Sequence, residues 1–332
     1  MDALFNYLMI KAIGLISGGL DSILAAKMVL EQGVMVIGVN FISPFFDKSQ
    51  FVNETAKLLG IEIRIIELKD DYIKLIKNPK YGYGKNLNPC IDCHMYMLRL
   101  AKQIMESENA DFVFTGEVLD ERPMSQNRQA LEIIEKESGL EGKLLRPLSA
   151  QLLAPTVAEL EGKIKRELLG CIRGRSRKPQ LELARKFGIT SFPQPAGGCL
   201  LTEPSFAGRL RDAFRYGEDT IYEINLLKIG RHFRFDDPQN TKVIVGRDKR
   251  ENQILSRLAR EVDLVLEPVD TTGPVVLVPN RKPTPLILNL ASGLCARYSD
   301  KVHNENLVKV KYKDIIMEVA PLSDEVINKY RI

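Results

Sequence analysis

The chain has 332 residues, enough for two or three domains with a sizeable core. Its 45% hydrophobic and 27% charged residues are ordinary globular values, and they exclude collagen-like, largely disordered and low-complexity chains. The net charge of +4 is too small to indicate a nucleic-acid partner by itself. Five cysteines, an odd number in a chain of this size, argue against a secreted disulfide framework and favour a reducing compartment.

The first ten residues are mostly apolar, but they lack a basic n-region and run directly into a predicted strand. We therefore expect no signal peptide. No stretch approaches the roughly 18 consecutive apolar residues that a membrane-spanning helix needs. The sequence predicts a cytoplasmic protein without a membrane partner.

Short apolar runs alternate with helical segments over the first third of the chain. The strands are predicted at 12–16, 34–42, 61–68 and 110–116. This alternation is typical of a parallel sheet with helices on both faces, and ligand sites then lie at the carboxyl ends of the strands. We predict an α/β domain over 1–168, in which the turns at Ser17 and Gly116 face one crevice.

Basic residues are concentrated in the next part of the chain. Between Lys163 and Lys186, nine lysines and arginines accompany two acids. We interpret 169–216 as a basic linker and loop that complete the active site. The remainder, 217–332, is predicted to be a smaller α+β domain whose first strand covers 227–235.

A turn of small residues, SGGLDS, separates the first predicted strand from the first helix. Such a turn lets backbone N–H groups converge on an anion, and the helix dipole adds partial positive charge. Gly18 and Gly19 permit close approach, Ser17 and Ser22 offer hydroxyls, and the Asp21 carboxylate could hold a magnesium ion. The alternative is an ordinary turn. A Walker-type P-loop is not supported, because no Gly-Lys pair is followed by Ser or Thr.

Two cysteines, Cys90 and Cys93, lie in the sequence NPCIDCH at a predicted helix start. This spacing lets two thiolates hold one metal centre, and a helix N-terminus lowers thiol pKa values. A buried pair or a structural zinc half-site is the alternative. Cys199 follows two glycines and is a third candidate. Cys171 and Cys295 are expected to be small core residues in apolar helices.

The SGGLDS turn resembles the fingerprint of the PP-loop ATP pyrophosphatase superfamily. The resemblance implies cleavage of ATP between its α and β phosphates, adenylation of a carbonyl oxygen and displacement of AMP by a nucleophile. It further implies that Gly116 lines the ATP crevice and that the backbone of Phe41 recognises adenine. Asp120 is implied as a Mg²⁺ ligand or acid–base residue, with a helix cap as the alternative. The implied ATP ligands are Ser17, Gly18, Gly19, Leu20, Asp21 and Ser22, with Mg²⁺ at Asp21.

The cysteine set resembles that of the tRNA thiouridine synthase branch of this superfamily. It implies that Cys90, Cys93 and Cys199 hold a [4Fe-4S] cluster with one open iron for hydrosulfide, supplied as inorganic sulfide or by a sulfur-donor protein. One alternative is a persulfide on Cys199 that Cys93 resolves as a disulfide. Others are a nitrogen-transferring PP-loop ligase with zinc, and an RNA-binding factor with a vestigial ATP site.

The basic stretch is either a solvated helix face or a track for tRNA phosphates. Its position between the ATP turn and the Cys199 loop favours phosphate contact by Arg173, Arg175, Arg177 and Lys178. The segments 228–252 and 288–301 resemble the RNA-associated domain of ribosome quality-control factors, with 288–301 as its closing helix. The expected activity is tRNA uridine thiolation. The sequence leaves open C2 or C4 of uracil, the tRNA position and whether the protein forms an oligomer.

Overall fold

A computed structural model describes residues 9–192, 198–280, 282, 284–300 and 307–332. The chain divides into two compact units, 1–202 and 203–332. The boundary after residue 202 falls within 169–216, the segment interpreted from the sequence as a basic linker and loop. Among the described residues, no helix combines the length and apolar character needed to span a membrane.

The first unit contains a five-stranded parallel sheet in the order β3-β2-β1-β4-β5. The strands are β1 (Lys11–Leu15), β2 (Met35–Ile42), β3 (Glu62–Glu67), β4 (Phe112–Phe114) and β5 (Leu144–Leu145). The helices are α1 (Leu20–Leu30), α2 (Val52–Leu59), α3 (Asp70–Lys77), α4 (Cys90–Ser107), α5 (Arg128–Glu137), α6 (Val157–Leu160) and α7 (Lys178–Lys186). The predicted parallel α/β fold is confirmed.

The core of this unit forms where α1 packs on the central strands. The inward side chains of α1 include Leu20, Ile23 and Leu24, each no more than 1% exposed. Strand β1 lies between β2 and β4. Strands β2 and β3 extend the sheet on one side of β1, and β4 and β5 extend it on the other. This arrangement makes a crevice at the carboxyl end of β1, the position where open α/β sheets bind ligands.

The second unit contains a six-stranded antiparallel sheet in the order β11-β10-β8-β9-β7-β6. Its strands are β6 (Arg231–Arg234), β7 (Lys242–Val245), β8 (Leu264–Pro268), β9 (Val276–Val278), β10 (Val308–Tyr312) and β11 (Ile315–Val319). Its helices are α8 (Pro204–Arg215), α9 (Ile221–Leu226), α10 (Lys249–Leu258), α11 (Pro285–Arg297) and α12 (Asp324–Tyr330). The predicted smaller α+β domain is confirmed.

Two details of this unit were predicted wrongly. The strand expected at 227–235 begins only at Arg231, because α9 ends at Leu226 and a turn follows it. The segment 288–301 is not the closing helix, since β10, β11 and α12 follow α11. Lys301, the last residue of that segment, lies outside the described residues.

A buried ion network ties the start of the second unit to its sheet. The Arg234 guanidinium donates to Asp212 Oδ2 from Nε at 3.1 Å, to Glu218 Oε2 at 2.7 Å and to the Asn240 carbonyl at 2.7 Å. Lys242 Nζ donates to Glu218 Oε2 at 3.0 Å. Because a buried charge is costly unless it is paired, the two cations and two carboxylates stabilise one another.

We predict that Arg234→Met destabilises the second unit by about 3–5 kcal/mol, since Asp212 and Glu218 would stay buried with Lys242 as the one paired cation left among the described residues. Urea unfolding of the full chain measures this change. Arg297→Met breaks an exposed pair with Asp324 and is expected to cost under about 1 kcal/mol. Equal effects of the two substitutions would contradict the prediction.

Candidate active site

The SGGLDS turn lies at the carboxyl end of β1. The Ile16 N–H donates to the Val39 carbonyl at 2.8 Å, so the chain stays in the sheet up to the turn itself. Gly18 then adopts a φ of +76°, a left-handed conformation that favours glycine. A Cβ at Gly18 would lie 3.2 Å from the Cβ of Phe51, which leaves little room for a side chain there.

Hydrogen bonds within the turn orient its two serines. Ser22 Oγ donates to the Gly19 carbonyl at 2.8 Å, and the Gly19 N–H donates to Ser17 Oγ at 3.3 Å. The N-cap of α1 is Gly19, which has no side chain to occupy the first N–H groups of the helix. The turn therefore combines the N–H groups of a helix start that has no N-cap side chain with two hydroxyls, a set of donors suited to phosphate.

Gly116 follows β4 and touches the start of α1. A Cβ on Gly116 would lie 2.5 Å from the backbone nitrogen of Ser22 and 2.7 Å from the carbonyl carbon of Asp21. No real side chain tolerates such distances, and the atoms in the way are backbone. The turns at Ser17 and Gly116 thus meet at one crevice, as the sequence analysis expected.

Two carboxyls lie close together beside the turn. Burial raises the pKa of Asp21, while the charges of Arg177 and Arg122 act to lower it. Burial and then the charge of Asp21 raise the pKa of Glu121. Within the described part of the chain, Asp21 Oδ1 is buried without a hydrogen-bond partner. An unpartnered carboxylate oxygen near a second carboxyl is the donor type that Mg²⁺ prefers.

Glu121 was missed by the sequence analysis, which chose the neighbouring Asp120. The structure pairs Asp120 with another candidate: Arg173 Nε donates to Asp120 Oδ2 at 2.6 Å. Asp120 has a φ of +62°, so the turn that holds it also directs the following carboxyl towards Asp21. The sequence signal was the acidic pair in TGEVLDE, which does not say which acid faces the crevice.

The other predicted contacts occupy different surroundings. Arg177 is half-buried, its charge reaches Asp21, and its Nε has no partner among the described residues. Arg175 and Lys178 are exposed. Phe41 lies within β2 and pairs with Ile66 of β3. The roles assigned to these residues stay predictions.

Three cysteines approach one another from distant parts of the first unit. Cys90 is the first residue of α4, and Cys93 lies one turn further along. The segment after Cys199 is hydrogen-bonded on both sides: the Leu200 N–H donates to the Phe45 carbonyl at 3.0 Å, and the Leu87 N–H donates to the Leu201 carbonyl at 3.1 Å. Cys199 is thereby held beside the chain that leads into α4. Gly197, which the predicted loop included, lies outside the described residues.

The thiols influence one another electrostatically. Burial, followed by the charges of Cys199 and Cys90, raises the pKa of Cys93 to about 12. Burial and the charge of Cys90 raise the pKa of Cys199 to about 11, and burial also raises the pKa of Cys90. The hydroxyl of Tyr72 lies 2.9 Å from Cys93 Sγ in a hydrogen bond.

These thiols have the chemistry of an iron–sulfur ligand set. Cysteine binds metal as the thiolate, and cysteine thiolates are the usual ligands of Fe–S clusters. No three His, Cys, Asp or Glu side chains in the described ranges are grouped to hold a single metal ion. The donor set therefore fits a thiolate-bound cluster by its chemistry, and it is not assembled as a site for one ion.

The remaining two cysteines differ from each other. Cys295 is buried in α11, where burial raises its pKa to about 12. Cys171 was expected in an apolar helix, and this is wrong. It is exposed, in an irregular segment before α7. The apolar letters around it belong to a chain that runs along the surface of the unit, with Leu169 buried and Cys171 outward.

A buried charged chain links α4 to the sheet. His94 Nδ1 lies 2.7 Å from Glu117 Oε1, and Arg146 Nε donates to Glu117 Oε2 at 3.1 Å. Glu117 is 5% exposed and Arg146 is 4% exposed. Burial opposes ionisation, but the hydrogen bonds and charges of His94 and Arg146 hold the pKa of Glu117 at about 2. This chain positions the helix that carries Cys90 and Cys93.

Comparison with known proteins identifies two regions of the chain. Residues 9–151 match the family described as thiamine biosynthesis protein (ThiI). Residues 230–331 match the family described as NFACT protein RNA binding domain. Both regional resemblances drawn from the sequence, one to sulfur-transferring PP-loop proteins and one to an RNA-associated domain, are confirmed.

Individual proteins are also similar to this chain. A tRNA-specific 2-thiouridylase of Fusobacterium nucleatum subsp. nucleatum is 30% identical over 107 residues, which are 30% of this chain and 31% of that protein. A tRNA-specific 2-thiouridylase of Pelobacter propionicus is 26% identical over 65% of this chain and 62% of its own. A solved 4-thiouridine synthetase–RNA complex with bound ATP aligns at a TM-score of 0.37 and 21% identity, over 66% of this chain and 52% of that one.

The chain spans between about one third and just under two thirds of the length of these two curated relatives. The activity, substrates and partners of the whole chain are therefore proposals.

We predict that Gly116→Ala lowers the free energy of unfolding of the first unit by about 1–3 kcal/mol, because its methyl group would push the start of α1 away. Urea denaturation measures the change. Gly208→Ala in α8, where a Cβ meets nothing within 4 Å, serves as the control and is expected to be neutral or stabilising. Unchanged stability in Gly116→Ala would contradict the proposed close contact.

A second prediction concerns Glu117→Gln, which keeps the shape of the side chain and removes its charge. We expect a loss of about 3–5 kcal/mol at neutral pH. The depressed pKa means that this stabilisation is complete above pH 4.5, the ordinary value, and is lost as the pH falls towards about 2. The difference between wild type and variant should shrink over that interval in acid unfolding curves. Glu62→Gln, at an exposed pair with Arg64, is the control.

Proposed function

We propose that the chain is a cytoplasmic, ATP-dependent tRNA sulfurtransferase that converts uridine to 2-thio- or 4-thiouridine. One observation carries this proposal: the charge of a single guanidinium acts on both parts of the site. The charge of Arg122 acts on Asp21 beside the phosphate turn and also on Cys90 and Cys199. A phosphate turn and a set of thiols therefore share one neighbourhood, as a reaction that couples ATP to sulfur requires.

The first half of the reaction uses the turn. The N–H groups at the start of α1 and the hydroxyls of Ser17 and Ser22 bind phosphate oxygens, with Asp21 as the residue to hold Mg²⁺. The uracil carbonyl oxygen attacks the α-phosphorus, and the bond to pyrophosphate breaks. Arg122 and Arg177 lie where they can balance negative charge that develops on the phosphates. The product is an adenylated uracil.

The second half uses the thiols. A [4Fe-4S] cluster on Cys90, Cys93 and Cys199 would supply an open iron position for hydrosulfide. The sulfur nucleophile forms a bond to the activated uracil carbon, and the carbon–oxygen bond to AMP breaks. Tyr72 contacts Cys93 and packs against the rings of Phe45 and Tyr96, and this aromatic group would limit access of water that hydrolyses the adenylate.

Three parts of the chain have different roles in this proposal. Residues 1–168 carry the ATP chemistry, 169–216 complete the site, and 217–332 bind tRNA, which the match of 230–331 to an RNA binding domain supports. The exposed Arg175 and Lys178 contact phosphates in this proposal. The target uridine leaves its stack to reach the crevice.

A persulfide route is the second candidate, and the proximity of Cys93 and Cys199 supports it, because each thiol lies within reach of the charge of a neighbouring thiol. Cys199 would carry the transferable sulfur, and Cys93 would release it by forming a disulfide with Cys199. Both routes need Cys199. They differ in their need for iron.

The test is nucleoside mass spectrometry of unmodified tRNA incubated anaerobically with iron–sulfur-reconstituted protein, sulfide and ATP. We expect a thiouridine that forms only with ATP, and its fragments distinguish sulfur at C2 from sulfur at C4. Iron-free protein should be inactive with sulfide. Activity of iron-free protein with a persulfide donor would replace the cluster by the persulfide route, and no thiouridine under either condition would overturn the proposed function.

We predict that Cys199→Ala abolishes thiouridine formation while ATP binding, measured by calorimetry, stays within about twofold of wild type, since the phosphate turn does not involve this thiol. Cys171→Ala is the matched control, because Cys171 is an exposed thiol of the same unit. It should retain full activity. Turnover by Cys199→Ala would remove this thiol from both mechanisms.

A further inference from the structure

The second unit contains a cavity that the proposed chemistry does not use. It has a volume of about 380 Å³, within the range of small-molecule sites. Leu226, Ile244 and Pro279 supply its apolar lining. Its walls are Tyr216 and several polar side chains from the loop before α9, the β6–β7 turn and the end of β9.

Tyr216 lines the cavity, and a contact with Arg234 holds its ring in place. The guanidinium carbon of Arg234 lies 4.4 Å from the centre of the Tyr216 ring. Arg234 is itself held by Asp212, Glu218 and the Asn240 carbonyl, so it cannot move away without breaking the buried ion network. Tyr216 remains 39% exposed. A preorganised aromatic ring with accessible surface is what a planar ligand needs for stacking.

The polar groups of the cavity select the chemistry of that ligand. Glu218, Glu223 and Lys242 line the cavity. Lys242 is 5% exposed and already donates to Glu218, which also accepts from Arg234. Lys242 is therefore not free to bind a phosphate, and Glu223 adds negative charge to the lining. A neutral, planar, hydrogen-bonding group suits this cavity better.

The side-chain amide of Asn240 can form hydrogen bonds with the edge of such a group. Asn240 lines the cavity. Its φ of +48° is the left-handed conformation found in tight turns. Among the described residues, its side-chain amide has no hydrogen-bond partner. A side-chain amide offers a donor and an acceptor together, the pattern that recognises the edge of a nucleobase.

We propose that this cavity binds one unstacked nucleobase of a single-stranded RNA segment, with Tyr216 as the stacking surface and Asn240 at the base edge. The inference rests on the proposed function only in taking RNA as the partner of this unit. The base enters the cavity while the charged ribose-phosphate chain stays outside, away from Glu218 and Glu223.

The experiment compares two labelled decamers on the full-length chain by fluorescence anisotropy. One is single-stranded RNA of mixed sequence, and the other has the same ribose-phosphate backbone without bases. We expect the base-containing strand to bind more tightly, and Tyr216→Ala to weaken it about 5-fold to 150-fold without changing the affinity for the abasic strand. Equal binding of the two strands by wild type would overturn the proposal.

Further variants separate recognition from folding. Tyr216→Phe keeps the ring and should bind like wild type, and Asn240→Gly removes the amide from a position where glycine adopts the same φ without strain. Asn240→Gly should also lose affinity for the base-containing strand. Gln253→Ala, an exposed amide on α10, is the control and should have no effect. Wild-type affinity in both Tyr216→Ala and Asn240→Gly would refute the site.

Competition by adenosine and uridine identifies the source of the base. If the cavity serves an RNA strand, these nucleosides at millimolar concentration displace it only partly. Complete displacement at micromolar concentration would assign the cavity to a free nucleoside and overturn the RNA assignment. The thiouridine assay is a separate readout: thiolation with no base-dependent binding removes this inference alone, and base-dependent binding without thiolation removes the proposed function alone.

Discussion

The contact on which the first unit depends is that between the backbone of Gly116 and the first turn of α1. A single methyl group at Gly116 would overlap the Ser22 nitrogen, so the end of β4 and the start of α1 can meet only because this position is glycine. The contact fixes where the turn after β4 begins. That turn carries Glu121 and Arg122 to Asp21, so the charges around the phosphate turn follow from the backbone approach. The backbone contact at Gly116 thereby determines which charged side chains surround the crevice.

The thiols are subject to a different constraint, which is the cost of burying charge. Cys93 and Cys199 have pKa values of about 12 and about 11, so at neutral pH they are protonated unless something positive binds. Arg122 lowers the pKa of Cys199, but burial has the larger effect. Such thiols are poor nucleophiles on their own. Their surroundings therefore suit ligands that become thiolates on binding a cluster better than they suit a free attacking thiol. Of the two proposed sulfur routes, this favours the cluster route.

The sequence predicted what depends on local patterns and failed where tertiary packing decides. Alternating apolar runs and glycine turns were enough for the parallel sheet, the phosphate turn and the helix start at the first cysteine pair. The position of Cys199 beside that pair depends on hydrogen bonds between segments over a hundred residues apart, for which the sequence held only the resemblance. Asp120 pairs with Arg173 while the charge of Asp21 acts on Glu121, a division of partners at a left-handed residue that no local pattern predicts. Cys171 looked buried because its neighbours are apolar, yet the chain there runs along the surface.

The basic stretch illustrates why counting charges overstates nucleic-acid contact. Lys163 pairs with Asp111 and Glu161, Arg166 with Glu159 and Arg173 with Asp120, so part of its positive charge is already balanced within the protein. Fewer free cations means fewer released counterions and a weaker electrostatic contribution to RNA binding. An RNA partner held by few phosphate contacts needs contacts of another kind. In the proposed base site, stacking on the Tyr216 ring would supply free energy that salt does not screen, while Lys242, already bonded to Glu218, would leave a phosphate without a free cation.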